Sequence, residues 1–236
     1  MTSLDDRVLA IAGAAGSLGP AVAQRLAADG ASLALADRSQ ERLDELAGEL
    51  DLPDERLDAR VVDLLDEEAT NAWPRALRER FGRVDGLLHL VGGWRGGEPL
   101  ATASLSDYAW LHDLLVRTVQ HSTRAFHDDI AASGHGRFVL VSSSQAQRPS
   151  GTNAAYAATK AAAEAWTLAL ANSLEGSAGT ANILVVNAIL TPAMREQDPG
   201  EEHPSFTPVE DIAAAIAFLC SDAAARMNGK RLPLYP

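Results

Sequence analysis

Short apolar segments alternate with longer mixed segments along the whole chain, and this alternation predicts its elements. Seven segments are almost continuously apolar, a pattern typical of strands that are covered on both faces. They are residues 7–13, 32–37, 60–64, 86–92, 137–143, 182–189 and 230–234. Because each pair is separated by enough residues for a crossover helix, we expect the strands to be parallel.

Helices are predicted in the stretches between these strands. They lie near residues 18–29, 39–50, 66–81, 105–132, 154–175 and 208–222. Right-handed crossovers wind alternating strands and helices into one parallel sheet with helices on both faces. Since no repeat, linker or change of composition divides the chain, we expect residues 1–236 to form a single Rossmann-like, doubly wound α/β domain.

One long segment, TPAMREQDPGEEHPSF at residues 191–206, shows neither the strand nor the helix period. It is rich in proline and in charged residues. Loops of this length inside a compact domain are usually lids or binding loops. We therefore predict a substrate loop at residues 191–206.

Composition and charge narrow the classes of function. The chain has 236 residues, of which 47% are hydrophobic, enough to bury one large core. A formal net charge of −12 gives nucleic acid or an anionic membrane no electrostatic reason to bind. No signal-peptide pattern and no run of apolar residues long enough for a membrane span is present, so we expect a soluble cytoplasmic protein. The single cysteine, Cys220, lies in an apolar pattern and is expected to pack in the core.

A glycine-rich turn follows the first predicted strand. In AGAAGSLG, Gly13, Gly16 and Gly19 have the spacing G-x-x-G-x-x-G and lead into the first helix. Such a turn needs positive φ, lets a pyrophosphate approach backbone N–H groups, and presents the positive end of a helix dipole. The turn predicts a dinucleotide site, although glycines also occur in such turns for packing alone.

Asp37 stands at the end of the second strand, eighteen residues after Gly19. A carboxylate there can accept both hydroxyls of an adenosine ribose and would repel a 2′-phosphate. This favours NAD. The neighbouring Arg38 could instead hold a 2′-phosphate, which keeps NADP as the alternative. Asp37 as the N-cap of the next helix is the ordinary structural interpretation.

Three further candidates are Asp63, which ends the third strand, and Gly92 and Gly93, which come after the fourth. Asp63 in VVDLLD could accept a hydrogen bond from the adenine amino group, or could simply cap the strand end. Gly92 and Gly93 would let the backbone pass beneath the adenine ribose, although GGWRGG could also be only a flexible turn.

The segment YAATK places Tyr156 and Lys160 one turn apart on a helix that otherwise carries alanines and other small residues. Residues at i and i+4 project from the same face. In isolation this is most simply a packed tyrosine beside a solvated lysine. Ser143, in the VSSS that closes the fifth strand, lies thirteen residues before Tyr156.

Taken together in this order, these motifs resemble the short-chain dehydrogenase/reductase family over nearly the whole chain. The resemblance extends to VNAILTPAM after the sixth strand and to the C-terminal segment TPVEDIAAAIAFLCSDAAARMNGKRLPL. It implies hydride transfer between a nicotinamide and a small carbonyl or alcohol substrate. Tyr156 would exchange the proton, Lys160 would lower the pKa of Tyr156 and hold the nicotinamide ribose, and Ser143 would hydrogen-bond the reacting oxygen.

The resemblance also implies a set of cofactor-binding residues, and no metal ligand. Thr191 and the backbone of Ile189 would meet the nicotinamide carboxamide, with Thr191 as a helix cap the alternative. The full implied set is Gly13, Gly16, Ser17, Leu18, Gly19, Asp37, Arg38, Asp63, Leu64, Gly92, Gly93, Tyr156, Lys160, Ile189 and Thr191.

Three departures from the family pattern stand out. Ser17 replaces the middle glycine of the common turn, and Leu115 replaces the Asn that bends the fourth helix and holds a proton-relay water. The Pro-Gly turn after the sixth strand is missing. VGGWRGG and TPAMR look more like the dihydropteridine-reductase branch, which typically lacks the serine present here as Ser143. Trp94 is expected to form a substrate wall, with core packing as the alternative.

Two further expectations follow. A non-catalytic NAD(H)-binding redox sensor is the competing class, and the intact Ser143, Tyr156 and Lys160 argue against it. Helices 105–132 and 154–175 are predicted to form the interface of a homo-oligomer, a dimer or a tetramer. The second helix has more small residues than one buried stripe requires, although alanine also simply favours helix.

Overall fold

All seven strands of the main sheet run parallel, as the apolar pattern predicts. The computed structural model describes residues 3–197 and 200–235. Its strands are β1 (Val8–Ala12), β2 (Ser32–Asp37), β3 (Leu57–Val61), β4 (Gly86–His89), β5 (Arg137–Ser143), β6 (Thr180–Val186), β7 (Ala188–Leu190), β8 (Phe206–Pro208) and β9 (Arg231–Pro233). The main sheet has the order β3-β2-β1-β4-β5-β6-β9, and β7 pairs only with β8. The strand order reverses between β1 and β4, which opens a crevice at the carboxyl ends of the strands.

Helices cover both faces of this sheet. They are α1 (Gly19–Ala28), α2 (Gln40–Leu50), α3 (Glu67–Phe81), α4 (Leu105–His112), α5 (Thr118–Ala132), α6 (Ala154–Ser173), α7 (Pro192–Gln197) and α8 (Val209–Cys220). The core on one face includes Leu26 of α1 and Ile216 of α8. The core on the other includes Trp73 of α3 and Phe126 of α5. The prediction of a doubly wound sheet is therefore confirmed, and none of the described helices is long and apolar enough to cross a membrane.

The third strand lies three residues earlier than the apolar pattern predicts, at Leu57–Val61 instead of 60–64. It stands at the edge of the sheet and pairs with β2 alone. An edge strand is covered less completely than a central one, so apolar and polar residues alternate along it. Its buried Asp58 accepts two hydrogen bonds, of 2.7 and 2.6 Å, from the guanidinium of Arg60. As a result Asp63 and Leu64 follow the strand instead of ending it.

The long helix predicted at 105–132 is interrupted by a wide π-helical turn at Asp113–Arg117. Leu115 lies within this turn and is only 2% exposed. The hydroxyl of Thr118 donates to the carbonyl of Leu114 at 2.6 Å just beyond it. The helix thus keeps an irregularity at the position where the family pattern has Asn, although this chain carries leucine there.

The segment after β6 is more ordered than the sequence indicates. The strand predicted at 182–189 breaks at Asn187, whose side chain accepts a hydrogen bond from Ser144 Oγ at 2.9 Å. β7 and β8 then hold the two ends of the predicted loop together, with Ala188 opposite Phe206. The expectation of a loop without regular structure is wrong for 192–197, which form α7. Residues 198–199 of that loop, and residues 1–2 and 236 of the predicted domain, lie outside the described residues.

Candidate active site

Two adjoining cavities form one cleft at the carboxyl ends of the strands. The smaller, of about 170 Å³, is called here the Asp37 cavity, and the larger, of about 620 Å³, the Tyr156 cavity. Both are lined by Leu90, Val91 and Gly92. Of the predicted residues, the Asp37 cavity holds Gly13, Gly16, Asp37, Arg38, Asp63, Leu64 and Gly92. The Tyr156 cavity holds Ser17, Leu18, Gly92, Gly93, Trp94, Ser143, Tyr156, Lys160, Ile189 and Thr191.

The glycine turn lies between the two cavities and has no room for side chains. Gly13 has a φ of +79°, and a Cβ there would lie 2.9 Å from the backbone nitrogen of Val91. A Cβ on Gly19 would lie 1.8 Å from the carbonyl oxygen of Ala14. Gly19 lines neither cavity. It is the first residue of α1, and because it has no side chain the helix can start directly against the turn. The turn leaves backbone exposed beside the cleft, which fits the needs of a pyrophosphate.

Asp37 bonds to the glycine turn and not to the helix that follows it. One carboxylate oxygen accepts from the backbone N–H of Ala15 at 3.1 Å and the other from that of Arg38 at 2.7 Å. The N-cap of α2 is Ser39, which accepts from Arg42. The interpretation of Asp37 as a helix cap is therefore wrong, and its carboxylate is fixed at the wall of the cavity.

The other predicted residues of the Asp37 cavity lie in turns. Asp63 is exposed and accepts from the backbone N–H of Leu65 at 3.0 Å, so it shapes the turn after β3 while lining the cavity. A Cβ on Gly93 would lie 2.6 Å from the side chain of Leu114, so this glycine allows the turn after β4 to pack on the π-helical turn. Gly92 has no such close neighbour.

Ser143 and Tyr156 meet in the Tyr156 cavity. Ser143 ends β5, is 3% exposed, and accepts from the backbone N–H of Gln145 at 3.3 Å. Burial raises the pKa of Tyr156, and a hydrogen bond with Ser143 opposes this rise. Because Ser143 accepts the Gln145 N–H through its oxygen, its own proton can be donated to Tyr156 or to the oxygen of a bound substrate. The pair therefore supplies two hydroxyl groups to one point of the cleft.

Lys160 lies behind Tyr156 and is 6% exposed. Its ammonium donates to the carbonyl of Val141 at 3.0 Å and lies 5.9 Å from the centre of the Tyr156 ring. The expected lowering of the tyrosine pKa by Lys160 is not found: burial of the phenol raises that pKa above its ordinary value, and the opposing effect comes from Ser143. Burial also lowers the pKa of Lys160 itself, to about 8.

A buried carboxylate that the sequence analysis missed stands one helical turn beyond Lys160. Glu164 is 2% exposed, and its charge partly offsets the lowering of the lysine pKa. Ser142 donates to it at 2.6 Å, and the guanidinium of Arg231 donates to it at 2.7 and 3.2 Å. The sequence KAAAE places Glu164 four residues after Lys160, and this spacing could have indicated that the two side chains lie on the same face of the helix. Its partner on β9 could not be read from the sequence.

His89, at the end of β4, is a second buried group that the sequence analysis missed. It is 1% exposed, and within the described residues neither ring nitrogen has a hydrogen-bond partner. Burial and the charge of Lys160 lower its pKa to about 3, so the ring is neutral. Of these two buried groups near Lys160, only the Glu164 carboxylate therefore carries a charge that favours the ammonium.

Trp94 is 58% exposed, which excludes the core-packing interpretation. Its indole N–H donates to the Asn153 side-chain oxygen at 2.9 Å, just before α6 begins. In the same segment, Gly97 donates to the carbonyl of Thr152 at 2.8 Å. These bonds hold the turn after β4 against the start of the helix that carries Tyr156, and the indole ring forms a wall of the Tyr156 cavity.

Ile189 and Thr191, which follow β6, line the same cavity. The hydroxyl of Thr191 accepts from the backbone N–H of Met194 at 3.3 Å, so it also caps α7 as the alternative proposed. Among the further lining residues that the sequence analysis did not single out are Gln145, Asn153, Asn187 and Met194. They lie in loops and at element ends, where no period marks them.

Comparison with known proteins agrees with this geometry. A family model described as enoyl-(acyl carrier protein) reductase matches residues 13–234. Levodione reductase of Leifsonia aquatica is 31% identical over 251 residues, which cover 99% of this chain and 94% of that protein.

Solved structures match over nearly the whole chain as well. A short-chain type dehydrogenase/reductase from Mycobacterium ulcerans has a TM-score of 0.88 and 26% identity, covering 98% of this chain and 89% of that one. A gluconate 5-dehydrogenase from Burkholderia cenocepacia, in complex with NADP and tartrate, has a TM-score of 0.85 and 26% identity, covering 99% and 95%.

Proposed function

The chain belongs to the short-chain dehydrogenase/reductase family of oxidoreductases, and we propose that it transfers hydride between NAD(H) and a small carbonyl or alcohol substrate. One observation carries the proposal: Ser143, Tyr156 and Lys160 line a single cavity that adjoins the Asp37 cavity. A sensor that only binds the nucleotide has no need for this set of proton donors.

A nicotinamide dinucleotide supplies the hydride when bound. The residues of this chain then handle the proton and the substrate oxygen. Tyr156 donates its phenolic proton to the oxygen of the carbonyl as that carbon is reduced, and takes the proton back in the oxidative direction. Ser143 donates a hydrogen bond to the same oxygen. Lys160, as an ammonium, balances the phenolate that remains after donation.

We propose NAD as the preferred cofactor. The argument rests on the Asp37 carboxylate, which bonds to Ala15 and Arg38 and so stays at the wall of the cavity. A ribose with free hydroxyls can donate to this carboxylate, whereas a 2′-phosphate meets like-charge repulsion. Arg38 also lines the cavity and keeps NADP as the alternative. The related gluconate 5-dehydrogenase was solved with bound NADP, which fits this alternative.

A second candidate is reduction of a quinonoid compound of the dihydropteridine-reductase type. The exposed indole of Trp94 favours it, because a flat aromatic wall can stack on a planar ring. The similarity to levodione reductase instead favours a carbonyl compound. We also propose that the segment 191–206 contacts the substrate, since Thr191 and Met194 line the Tyr156 cavity.

The test is NADH oxidation followed with a panel of ketones and quinonoid compounds. We expect turnover with at least one class of ketone. Turnover of quinonoid compounds alone would favour the second candidate. Tight NADH binding with no turnover of any compound would contradict the enzyme proposal and favour a redox sensor.

We further propose a homo-oligomer built on α5 and α6. The groove between these helices, about 380 Å³, is lined by Thr123, Trp166, Leu170 and other side chains of the two helices. Light scattering at micromolar concentration should give a mass two or four times that of the 24.9 kDa chain. A mass equal to one chain would contradict this part of the proposal.

A further inference from the structure

Gln145 has a side-chain amide whose orientation is fixed by its neighbour. Its carbonyl oxygen accepts from the backbone N–H of Ser150 at 2.9 Å. A backbone N–H can only donate, so the oxygen and not the nitrogen of the amide must face Ser150. The amide NH₂ points away from this bond, and within the part of the chain that the structure describes it has no hydrogen-bond partner.

The other side-chain amides and the ammonium of the Tyr156 cavity each donate at least one hydrogen bond within the protein. Asn153 donates to Ser150, Asn187 to Ser205, and Lys160 to Val141. Gln145 differs from them, because within the described residues its NH₂ donates no hydrogen bond although the residue lines the same cavity.

Gln145 also lies beside the reacting position. Its backbone nitrogen is 3.3 Å from the hydroxyl oxygen of Ser143. With an N–Cα bond of about 1.5 Å, its Cα lies within about 5 Å of that hydroxyl. A glutamine side chain spans a similar length, so its amide can reach an atom close to the substrate oxygen that Ser143 binds.

The charges around the cavity restrict what this amide can bind. Among the described residues, Lys160 is the only lysine or arginine that lines the Tyr156 cavity, and its ammonium is buried against Val141. A carboxylate or phosphate on the substrate would find no free cation there, and the chain as a whole carries a net charge of −12. The NH₂ of Gln145 is a neutral donor with no free cation beside it. It therefore suits a neutral oxygen acceptor on the substrate and not an anionic one.

We propose that Gln145 determines substrate specificity by donating a hydrogen bond to a second, neutral oxygen on the substrate, next to the carbonyl that is reduced. The substrate class is thus hydroxy ketones and diketones and not simple ketones or keto acids. This inference rests on the proposed function, since it concerns which carbonyl compound the same cavity accepts.

The experiment compares kcat/KM for cyclohexanone, 2-hydroxycyclohexanone and pyruvate with NADH. We expect wild type to prefer 2-hydroxycyclohexanone to cyclohexanone by about tenfold, as one hydrogen bond between neutral groups can supply. Pyruvate should be the poorest of the three. Gln145→Met removes the donor and should bring the ratio between the first two close to one.

Two further variants test whether the preference comes from the NH₂ of Gln145 or from the way its side-chain oxygen holds the loop at Ser150. Gln145→Glu keeps an oxygen for the Ser150 N–H but replaces the NH₂ by an acceptor, so with 2-methoxycyclohexanone, whose ether oxygen cannot donate, it should show no preference over cyclohexanone. Gln147→Met, two positions on, removes an amide that already donates to Glu164 at 3.3 Å, and it should keep the wild-type ratio.

The outcomes distinguish this inference from the proposed function. Equal use of cyclohexanone and 2-hydroxycyclohexanone by wild type would overturn the inference alone, as would a preference for 2-hydroxycyclohexanone that survives in Gln145→Met. A protein that binds NADH and reduces none of the ketones would contradict the proposed function itself.

Discussion

The Asp37 cavity and the Tyr156 cavity adjoin in one cleft, yet different kinds of contact form them. In the first, carboxylates accept from backbone N–H groups, as Asp37 does from Ala15 and Asp63 from Leu65. In the second, some side chains also bond to side chains of distant segments, as Trp94 does to Asn153 and Asn187 to Ser144. The first cavity is therefore fixed by the backbone groups of its turns, and the second depends in addition on side-chain bonds between separate segments.

This difference separates two tasks. Backbone groups and glycines suit a part of a ligand that does not change, since a small set of turns recurs whenever it must be held. Long side chains in loops suit the part that differs between family members. We therefore expect changes in the Asp37 cavity to alter nucleotide binding, and changes in the Tyr156 cavity to alter turnover.

The largest expected effect is in the Tyr156 cavity. Tyr156→Phe removes the proton donor and leaves the ring in place, so kcat should fall by roughly 1,000-fold or more. The dissociation constant of NADH, measured by fluorescence, should stay within a few-fold of wild type. Retained turnover would contradict the role of the phenol, and lost NADH binding would contradict the separation of tasks.

The next effect is in the glycine turn. Gly19→Ala places a Cβ 1.8 Å from the carbonyl of Ala14, so the turn and α1 must move apart. Such overpacking costs roughly 2–3 kcal/mol, which corresponds to a fall in Tm of about 5–10 °C, and NADH binding should weaken with it. Gly48→Ala is the matched control, because nothing lies within 4 Å of that Cβ and alanine favours the helix α2. A Gly19→Ala variant with wild-type Tm and NADH affinity would refute this account of the turn.

A smaller effect is expected from the charge in the Asp37 cavity. Asp37→Asn keeps an acceptor for Ala15 but removes the repulsion of a 2′-phosphate. The ratio of the NADPH to NADH dissociation constants should fall roughly 10- to 100-fold. Asp63→Asn, in the same cavity, should leave this ratio unchanged. If wild type already binds NADPH more tightly, then Arg38 and not Asp37 governs the choice of nucleotide.

The smallest expected effect is a change in pH dependence. Glu164 raises the pKa of Lys160, which burial has lowered to about 8. Glu164→Gln removes that negative charge and leaves Arg231 uncompensated, so the lysine pKa should fall further. If turnover needs the ammonium, the alkaline limb of kcat should move to lower pH by roughly one unit. The exposed Glu175→Gln should not move it, and an unmoved limb in Glu164→Gln would argue that Glu164 serves only stability.

The same contrast explains how far the sequence alone could lead. The glycine turn and Asp37 could be predicted because their geometry follows from neighbouring residues and from the strand before them. Glu164 could not, because its role depends on Arg231, which the fold brings near it. Gln145 could not, because its bond to Ser150 depends on the conformation of a loop that no sequence period marks.

The strands and helices show the same limit on what the sequence alone can predict. Continuous apolar runs marked the buried strands of the sheet but misplaced the edge strand β3, whose residues alternate. No glycine or proline marks the π-helical turn at Asp113–Arg117, so periodicity alone predicted one unbroken helix there. The ladder of β7 and β8 has only three residues in each strand, too few to show a period.

The central claim is that the two cavities together carry out direct hydride transfer to a carbonyl carbon. The most direct measurement uses NADH with deuterium at C4 of the nicotinamide and 2-hydroxycyclohexanone as substrate, with mass spectrometry of the product. The account predicts that the diol carries one deuterium on the newly formed carbinol carbon, transferred from only one of the two C4 positions. A diol that carries no deuterium on that carbon with either of the two C4-labelled forms of NADH, or NADH binding with no diol formed from any ketone of the panel, would contradict it.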